Sequence, residues 1–399
     1  MFKPRRVIVM WLDGISAMFV KSFNKNIDMP LTYLDKMYKQ SHVKKYCYSY
    51  DGTRSVLYGL MTGQSYTETP VSRVDDPSKF VVNKFFTDDL KRLGYKTHYH
   101  TNFRGSTKSF LLHFDRVEHE KLVYDLKDSK LDKDFWGMND EKTFVVFHSF
   151  MTHDRGGKPG HAITTDEYKY YIEKECNLME KNLEFLKYDE DKDLLLIMSD
   201  HGLTLDATHI PQKGSMFSHI KQMFNPDRLN LWNYAGQEIK SRIFFMTKHK
   251  DIKPSIDEGV CSLQSAFDEF LKLLGINNYL TPTAQKYNQP NMALSLSVGM
   301  FPITPLKLME KIMYNDRMYQ FLYVKGKGSK REKWIAEPNL NKYEYYDFDT
   351  DEFEEYPIPM KYKNLPNKLK EFIEEYNATR IRDIKFLIEK VKSGKLTPL

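Results

Sequence analysis

Cysteine is scarce. Cys47, Cys176 and Cys261 are the only three in 399 residues, and none stands in Cys-x-x-Cys spacing. That excludes a disulfide scaffold and a cysteine zinc knuckle, and three free thiols fit a reducing compartment. Long apolar runs are absent as well. No stretch approaches the roughly 18 apolar residues that read as a membrane span, so no transmembrane segment is expected. The basic N-terminus leads into one apolar run, Val7–Leu12, which stops at Asp13. A signal peptide needs a longer stretch and a small-residue cleavage site, so the protein is expected to be cytoplasmic. Neither sign of charge is in large excess. Sixty Lys and Arg against 54 Asp and Glu leave +6. Such a balance suits an anionic substrate and gives no reason to expect nucleic acid.

What is present is ample core material. Hydrophobic residues make up 41%, aromatic residues 14% and charged residues 29%, the composition of a globular protein. Val7–Leu12 and Asp193–Met198 read as fully buried strands, and Tyr95–His100, Thr143–Phe150 and Ser241–Thr247 as further strands. Helices are expected over Met29–Tyr38, Ser55–Met61, Phe86–Leu93 with Gly94 as its C-cap, Thr165–Leu186 and Ser262–Leu274. This alternation predicts an α/β domain over residues 1–305, with a mostly parallel sheet covered on both faces. From about residue 306 to 399 the texture changes to short Tyr- and Phe-rich strands, Tyr319–Val324, Lys333–Ala336 and Tyr343–Phe348. A helical tail follows from about Asn367 to Val391. These predict a small C-terminal α+β subdomain. The charge-rich Lys325–Lys333 reads as a loop.

In open α/β sheets, ligands bind outside the carboxyl ends of the strands. Asp13 follows the first buried strand. Ser199, Asp200, His201 and Gly202 follow Asp193–Met198. His148, His153 and Asp154 follow the Thr143 strand. Two strands ending in carboxylates, one with a histidine adjacent, could converge on a divalent ion such as Zn²⁺ or Mn²⁺. Each residue also has an ordinary reading. Asp13 could be a turn residue, Thr53 or Asp200 a helix cap, Arg54 a surface arginine and His148 a hydrogen-bonded core histidine.

Trp-Leu-Asp-Gly at 11–14, Gly-Thr-Arg-Ser-Val-Leu-Tyr-Gly-Leu-Met-Thr-Gly at 52–63 and Ser-Asp-His-Gly at 199–202 stand in an order and at distances that resemble the sulfatase-like branch of the alkaline phosphatase superfamily. In that family the nucleophile opens a helix ten residues before the glycine of a Thr-Gly pair. Counting back from Thr62-Gly63 reaches Thr53. A sulfatase has a cysteine there, in Cys-x-Pro-Ser-Arg, matured to formylglycine. Threonine resembles the phosphoryl-transfer members. His148–Asp154 resembles the segment whose histidine faces the substrate. His209 and Lys213 resemble the histidine and substrate-binding lysine that follow Ser-Asp-His-Gly, and residues 343–355 resemble the family's closing strand.

The resemblance implies one divalent cation held by Asp13, Thr53, Asp200 and His201, with Zn²⁺ or Mn²⁺ favoured and Ca²⁺ or Mg²⁺ as alternatives. It implies Thr53 as nucleophile, with His153, Arg54, Lys213 and His209 as further catalytic residues. The expected activity is a hydrolase or transferase acting on an anionic phosphoester, such as a glycan- or lipid-linked phosphodiester of a cell-surface glycan or its precursor, through a covalent phosphothreonine. A sulfuric ester hydrolase and a catalytically silent anionic-glycan-binding domain are the alternatives. The chain departs from the family at Gly14, where sulfatases have a second aspartate. It also departs at Ser149, where two-metal members have an aspartate four residues before the histidine, so a single metal is expected.

Overall fold

The computed structural model describes residues 4–49, 53–65, 67–68, 85–102, 111, 113–139, 141–154, 165–203, 238–298, 319–338, 341–351, 354 and 357–393. The strands are β1 (Arg6–Leu12), β2 (His42–Tyr48), β3 (Lys96–Thr101), β4 (Arg116–His119), β5 (Thr143–Ser149), β6 (Asp193–Met198), β7 (Arg242–Lys248), β8 (Ser255–Ser262), β9 (Met292–Val298), β10 (Tyr319–Lys327), β11 (Lys330–Glu337), β12 (Lys342–Asp347) and β13 (Ile358–Pro359). They form one mixed sheet in the order β13-β12-β11-β10-β9-β8-β2-β7-β6-β1-β5-β3-β4. The strands from β6 to β4 are parallel. β7 runs antiparallel to both neighbours. Parallel pairing resumes from β2 through β8 to β9, and β9 to β13 are antiparallel.

The helices are α1 (Tyr33–Gln40), α2 (Thr53–Thr62), α3 (Phe86–Arg92), α4 (Met151–Asp154), α5 (Thr165–Phe185), α6 (Glu238–Ser241), α7 (Leu263–Leu273), α8 (Pro282–Tyr287) and α9 (Asn367–Lys392). They cover both faces of the sheet. In β1, Val7, Val9 and Trp11 join one apolar core with residues of α2, α3, α7, α8 and α9. Ile8, Met10 and Leu12 join a second core with α1 and α5. Period-two side chains buried on both faces leave no polar alternation, which is why β1 and β6 read as continuous apolar runs. Each fully buried aliphatic side chain contributes about 1.5–3 kcal/mol. Among the described residues no helix is long and apolar enough to cross a membrane.

Several local expectations need correction. The first helix starts at Tyr33, not Met29. The Asp35 carboxylate accepts from the Thr32 N–H at 2.8 Å and so sets the start there. Lys325–Lys333 is not a loop but the hairpin between β10 and β11, turning at Gly328, whose φ is +60°. Lys333 is fully buried in it, paired with Glu238 and Glu354, while Arg331 lies 3.5 Å from Glu238. β2, β8 and β9 had no clear signal, and β2 carries Lys44, buried against Asp257 at 2.8 Å. β2 and β8 also bring Cys47 and Cys261 to one register position, and both are free thiols. The boundary expected at 305/306 lies outside the described residues. Beyond it, β10–β12 continue the same sheet, and together with α9 they send Phe321, Trp334 and Phe372 into the same core as β1.

Candidate active site

β6, β1 and β5 are parallel neighbours, with Trp11 in register with Met198 and Leu12 with Ser149. Their carboxyl ends therefore lie side by side. Asp13 follows β1, and its N–H donates to the Ser149 carbonyl at 2.9 Å. Asp200 and His201 follow β6. Thr53 is the first residue of α2, whose Val56, Leu57, Leu60 and Met61 are packed into the core. Asp13, Thr53, Asp200 and His201 are all buried.

Hydrogen bonds join them. Thr53 Oγ1 donates to Asp13 Oδ2 at 2.9 Å and lies 3.2 Å from His201 Nε2. Asp200 Oδ1 accepts from the N–H of His201 at 2.9 Å and of Gly14 at 3.2 Å. His201 Nδ1 faces the Gly202 carbonyl at 2.9 Å. A carbonyl only accepts, so Nδ1 carries the proton and the Nε2 lone pair points into the site.

Asp13 Oδ1 and Asp200 Oδ2 are buried and meet no hydrogen-bond donor among the described residues. His201 Nε2 stands 3.8 Å from the first and 3.5 Å from the second. Ligands about 2.1 Å from a tetrahedral ion lie about 3.4 Å from one another, so this donor set fits one divalent cation. The electrostatics agree. Burial, and then the neighbouring Asp200, push the Asp13 carboxyl well above its ordinary 3.8. Burial also raises Asp200, but hydrogen bonding, including that from the Gly14 N–H, helps hold Asp200 below its ordinary value. The opposed shifts are those of two close carboxylates that repel one another, and a bound cation would relieve that repulsion.

Two histidines complete the cluster. One ring nitrogen of the half-buried His153, on α4, lies within 4.8 Å of an Asp13 oxygen and a His201 nitrogen. That spacing puts His153 in the same pocket and permits a ligand role as well as the substrate-facing one the resemblance implies. His148 Nε2 lies 3.0 Å from Asp13 Oδ2, and its Nδ1 meets the Tyr99 hydroxyl. Burial above all lowers the His148 pKa to about 3, so it is neutral. By sequence alone His148 reads equally as a core histidine, and Tyr99 does not stand out. A histidine next to the end of a buried strand was the available signal for the first. The mid-strand Tyr99 carried none.

Gly14 explains one departure from the sulfatase pattern. Its φ is +76°, and a Cβ there would lie 3.2 Å from Leu203 Cδ2 and 3.4 Å from His153 Cβ. A second aspartate at this turn would be strained. The Arg54 side chain, His209 and Lys213 lie outside the described residues.

No protein-family model matches the chain, and no curated protein matches it. Solved structures do. One is a protein of the alkaline phosphatase superfamily from Vibrio parahaemolyticus, 14% identical, covering 96% of this chain and 87% of that one with a TM-score of 0.57. Another is BT1596, a 2-O GAG sulfatase, 11% identical, with coverage of 98% and 94% and a TM-score of 0.57. A third is the lipoteichoic acid synthase LtaP from Listeria monocytogenes, 14% identical, with coverage of 96% and 92% and a TM-score of 0.54. The chain has the alkaline phosphatase and sulfatase-like α/β fold.

Proposed function

We propose that the protein is a metal-dependent enzyme that cleaves or transfers a phosphoester through a covalent phosphothreonine at Thr53. The observation that carries this reading is the Thr53 hydroxyl, buried at a helix start and bonded to Asp13 beside the Asp200–His201 pair. Asp13, Thr53, Asp200 and His201 would hold the cation, which when bound lowers the pKa of the threonine hydroxyl and polarises the phosphoryl group.

The remaining chemistry belongs to the chain. Thr53 Oγ1 attacks phosphorus, forming the O–P bond as the bond to the leaving oxygen breaks. Asp13 Oδ2, already accepting from that hydroxyl, receives its proton. His153, half-buried beside His201 with ring centroids 5.8 Å apart, is placed to protonate the leaving oxygen. Attack by water or by an acceptor hydroxyl then releases Thr53. The α2 N-terminus favours an anion at this point.

A threonine in place of the formylglycine precursor favours phosphoryl over sulfuryl chemistry. Neighbours named as a GAG sulfatase and a lipoteichoic acid synthase support an anionic ester on a glycan or polymer as the substrate class.

The test is intact-protein mass after incubation with an aryl phosphodiester and Zn²⁺ or Mn²⁺, beside turnover of that ester and of an aryl sulfate. A phosphoryl adduct is expected on wild type and none on Thr53→Ala, whose turnover falls at least about a thousandfold while metal still binds. Near wild-type turnover by Thr53→Ala would refute the nucleophile. Turnover of the sulfate alone would refute the phosphoester reading.

A further inference from the structure

Asp13 Oδ2 accepts two hydrogen bonds, while Oδ1 accepts none among the described residues. One donor is Thr53. The other is His148 Nε2, which the proposed reaction does not use. The His148 ring is itself held on three sides. Trp11 stacks on it with centroids 4.2 Å apart and planes at 21°. Phe150 lies 4.3 Å away. The Tyr99 hydroxyl, reaching across from β3, meets Nδ1. Tyr99 and His148 are both buried.

The proton order in this chain follows from donor and acceptor chemistry. With a cation on Oδ1, Asp13 is ionised and its Oδ2 only accepts, so Nε2 must carry a hydrogen towards Asp13. A neutral imidazole then has a lone pair on Nδ1, and Tyr99 must donate to it. The opposite tautomer would set the Nε2 lone pair against the carboxylate and leave two acceptors facing each other.

Resting on the reading that Asp13 ligates a cation, we infer that Tyr99 and His148 are positioning residues. They form a relay, Tyr99 O–H to His148 to Asp13 Oδ2, that turns Asp13 Oδ1 towards Asp200 and the cation. The relay leaves Oδ1 as the ligand oxygen and keeps one donor on Oδ2 after Thr53 gives up its proton. His148 stands outside the ligand set in this arrangement.

Calorimetric Zn²⁺ and Mn²⁺ titrations of the metal-free full chain test this, together with the visible spectrum of the Co²⁺ form. His148→Leu removes the donor, and metal affinity should fall about 10- to 100-fold, the usual effect of losing such a supporting hydrogen bond. His148→Gln places an amide N–H near the position of Nε2 and should restore affinity to within about threefold of wild type. Tyr99→Phe, which keeps the ring, should weaken binding between these limits. The Co²⁺ band positions of wild type and His148→Gln should coincide.

Unchanged affinity in His148→Leu would overturn the relay. Equal losses in His148→Leu and His148→Gln, with a shifted Co²⁺ spectrum in the glutamine variant, would also overturn it by making His148 a ligand. Wild type that binds no divalent ion would instead overturn the proposed function, and the two failures are thereby distinct.

Discussion

Replacing Asp13 by asparagine keeps the side-chain shape and removes one of two carboxylates whose oxygens lie within 4.8 Å of each other. Two full charges at that distance repel by about 3.5 kcal/mol at an effective dielectric constant of about 20. The metal-free protein escapes this cost by keeping a proton on Asp13, whose pKa burial and Asp200 raise well above 3.8. A group with a raised folded-state pKa binds more protons folded than unfolded. Its contribution is complete below the unfolded value and is lost as pH rises through the folded one. Asparagine has no such proton to lose. Its oxygen can accept from Thr53 and His148, and its amide can donate to Asp200 Oδ2. The metal-free variant should therefore gain on wild type as pH rises above 3.8, until Asp13 ionises in the folded protein, by up to about 3.5 kcal/mol. With an unfolding entropy of about 2.1 cal/mol/K per residue, about 0.8 kcal/mol/K for the whole chain, that gain raises Tm by about 4 °C. Metal reverses the ranking. Wild type gains about 4 kcal/mol at a thousandfold excess over Kd, and the variant gains little. Scanning calorimetry at pH 5, 7 and 9, with EDTA and with Zn²⁺, reads both effects. A metal-free variant less stable than wild type at pH 9, or one with the full metal-induced shift, would refute the reasoning.

Two further outcomes concern groups outside the ligand set. Glu175 is buried with Oε2 accepting from the Thr152 N–H at 3.1 Å, and burial outweighs the Ser149 and Thr152 hydrogen bonds to push its pKa to about 8. Its contribution is present below the ordinary 4.5 and is lost as pH rises towards 8. Wild type should thus lose up to about 1.4 kcal/mol per pH unit across that window relative to Glu175→Gln, and parallel urea midpoints for the two proteins would disprove it. Lys333→Met fills the lysine's volume but leaves Glu238 and Glu354 buried without it. Urea unfolding should show a loss of about 3–5 kcal/mol, and a loss below about 1 kcal/mol would show that Arg331 and Arg242, 3.5 and 3.4 Å from Glu238, compensate for the lysine.

The parts of the site that could be read from the chain are those whose signal is local. Val7–Leu12 and Asp193–Met198 announce buried strands by themselves, and the rule that ligands gather beyond strand ends then selects Asp13, Asp200 and His201. Thr53 needed the spacing to Thr62-Gly63, a family pattern and not a physical one. The fold class was legible for the same reason, since alternating strand and helix periods are local. What stayed hidden depends on which strands become neighbours. Lys44 and the charged stretch up to Lys333 look like loop residues until Asp257 and Glu238 arrive from far along the chain to neutralise them, so β2 and the turn-side ends of β10 and β11 do not show as strands in the sequence. Cys47 and Cys261 are unrelated in sequence and adjacent in register. Tyr99 is the clearest case. It is an unremarked aromatic in the middle of a strand, 49 residues from His148. Its hydroxyl acquires a partner only because β3 lies against β5 and β5 against β1, and that order is a property of the assembled sheet rather than of any segment within it.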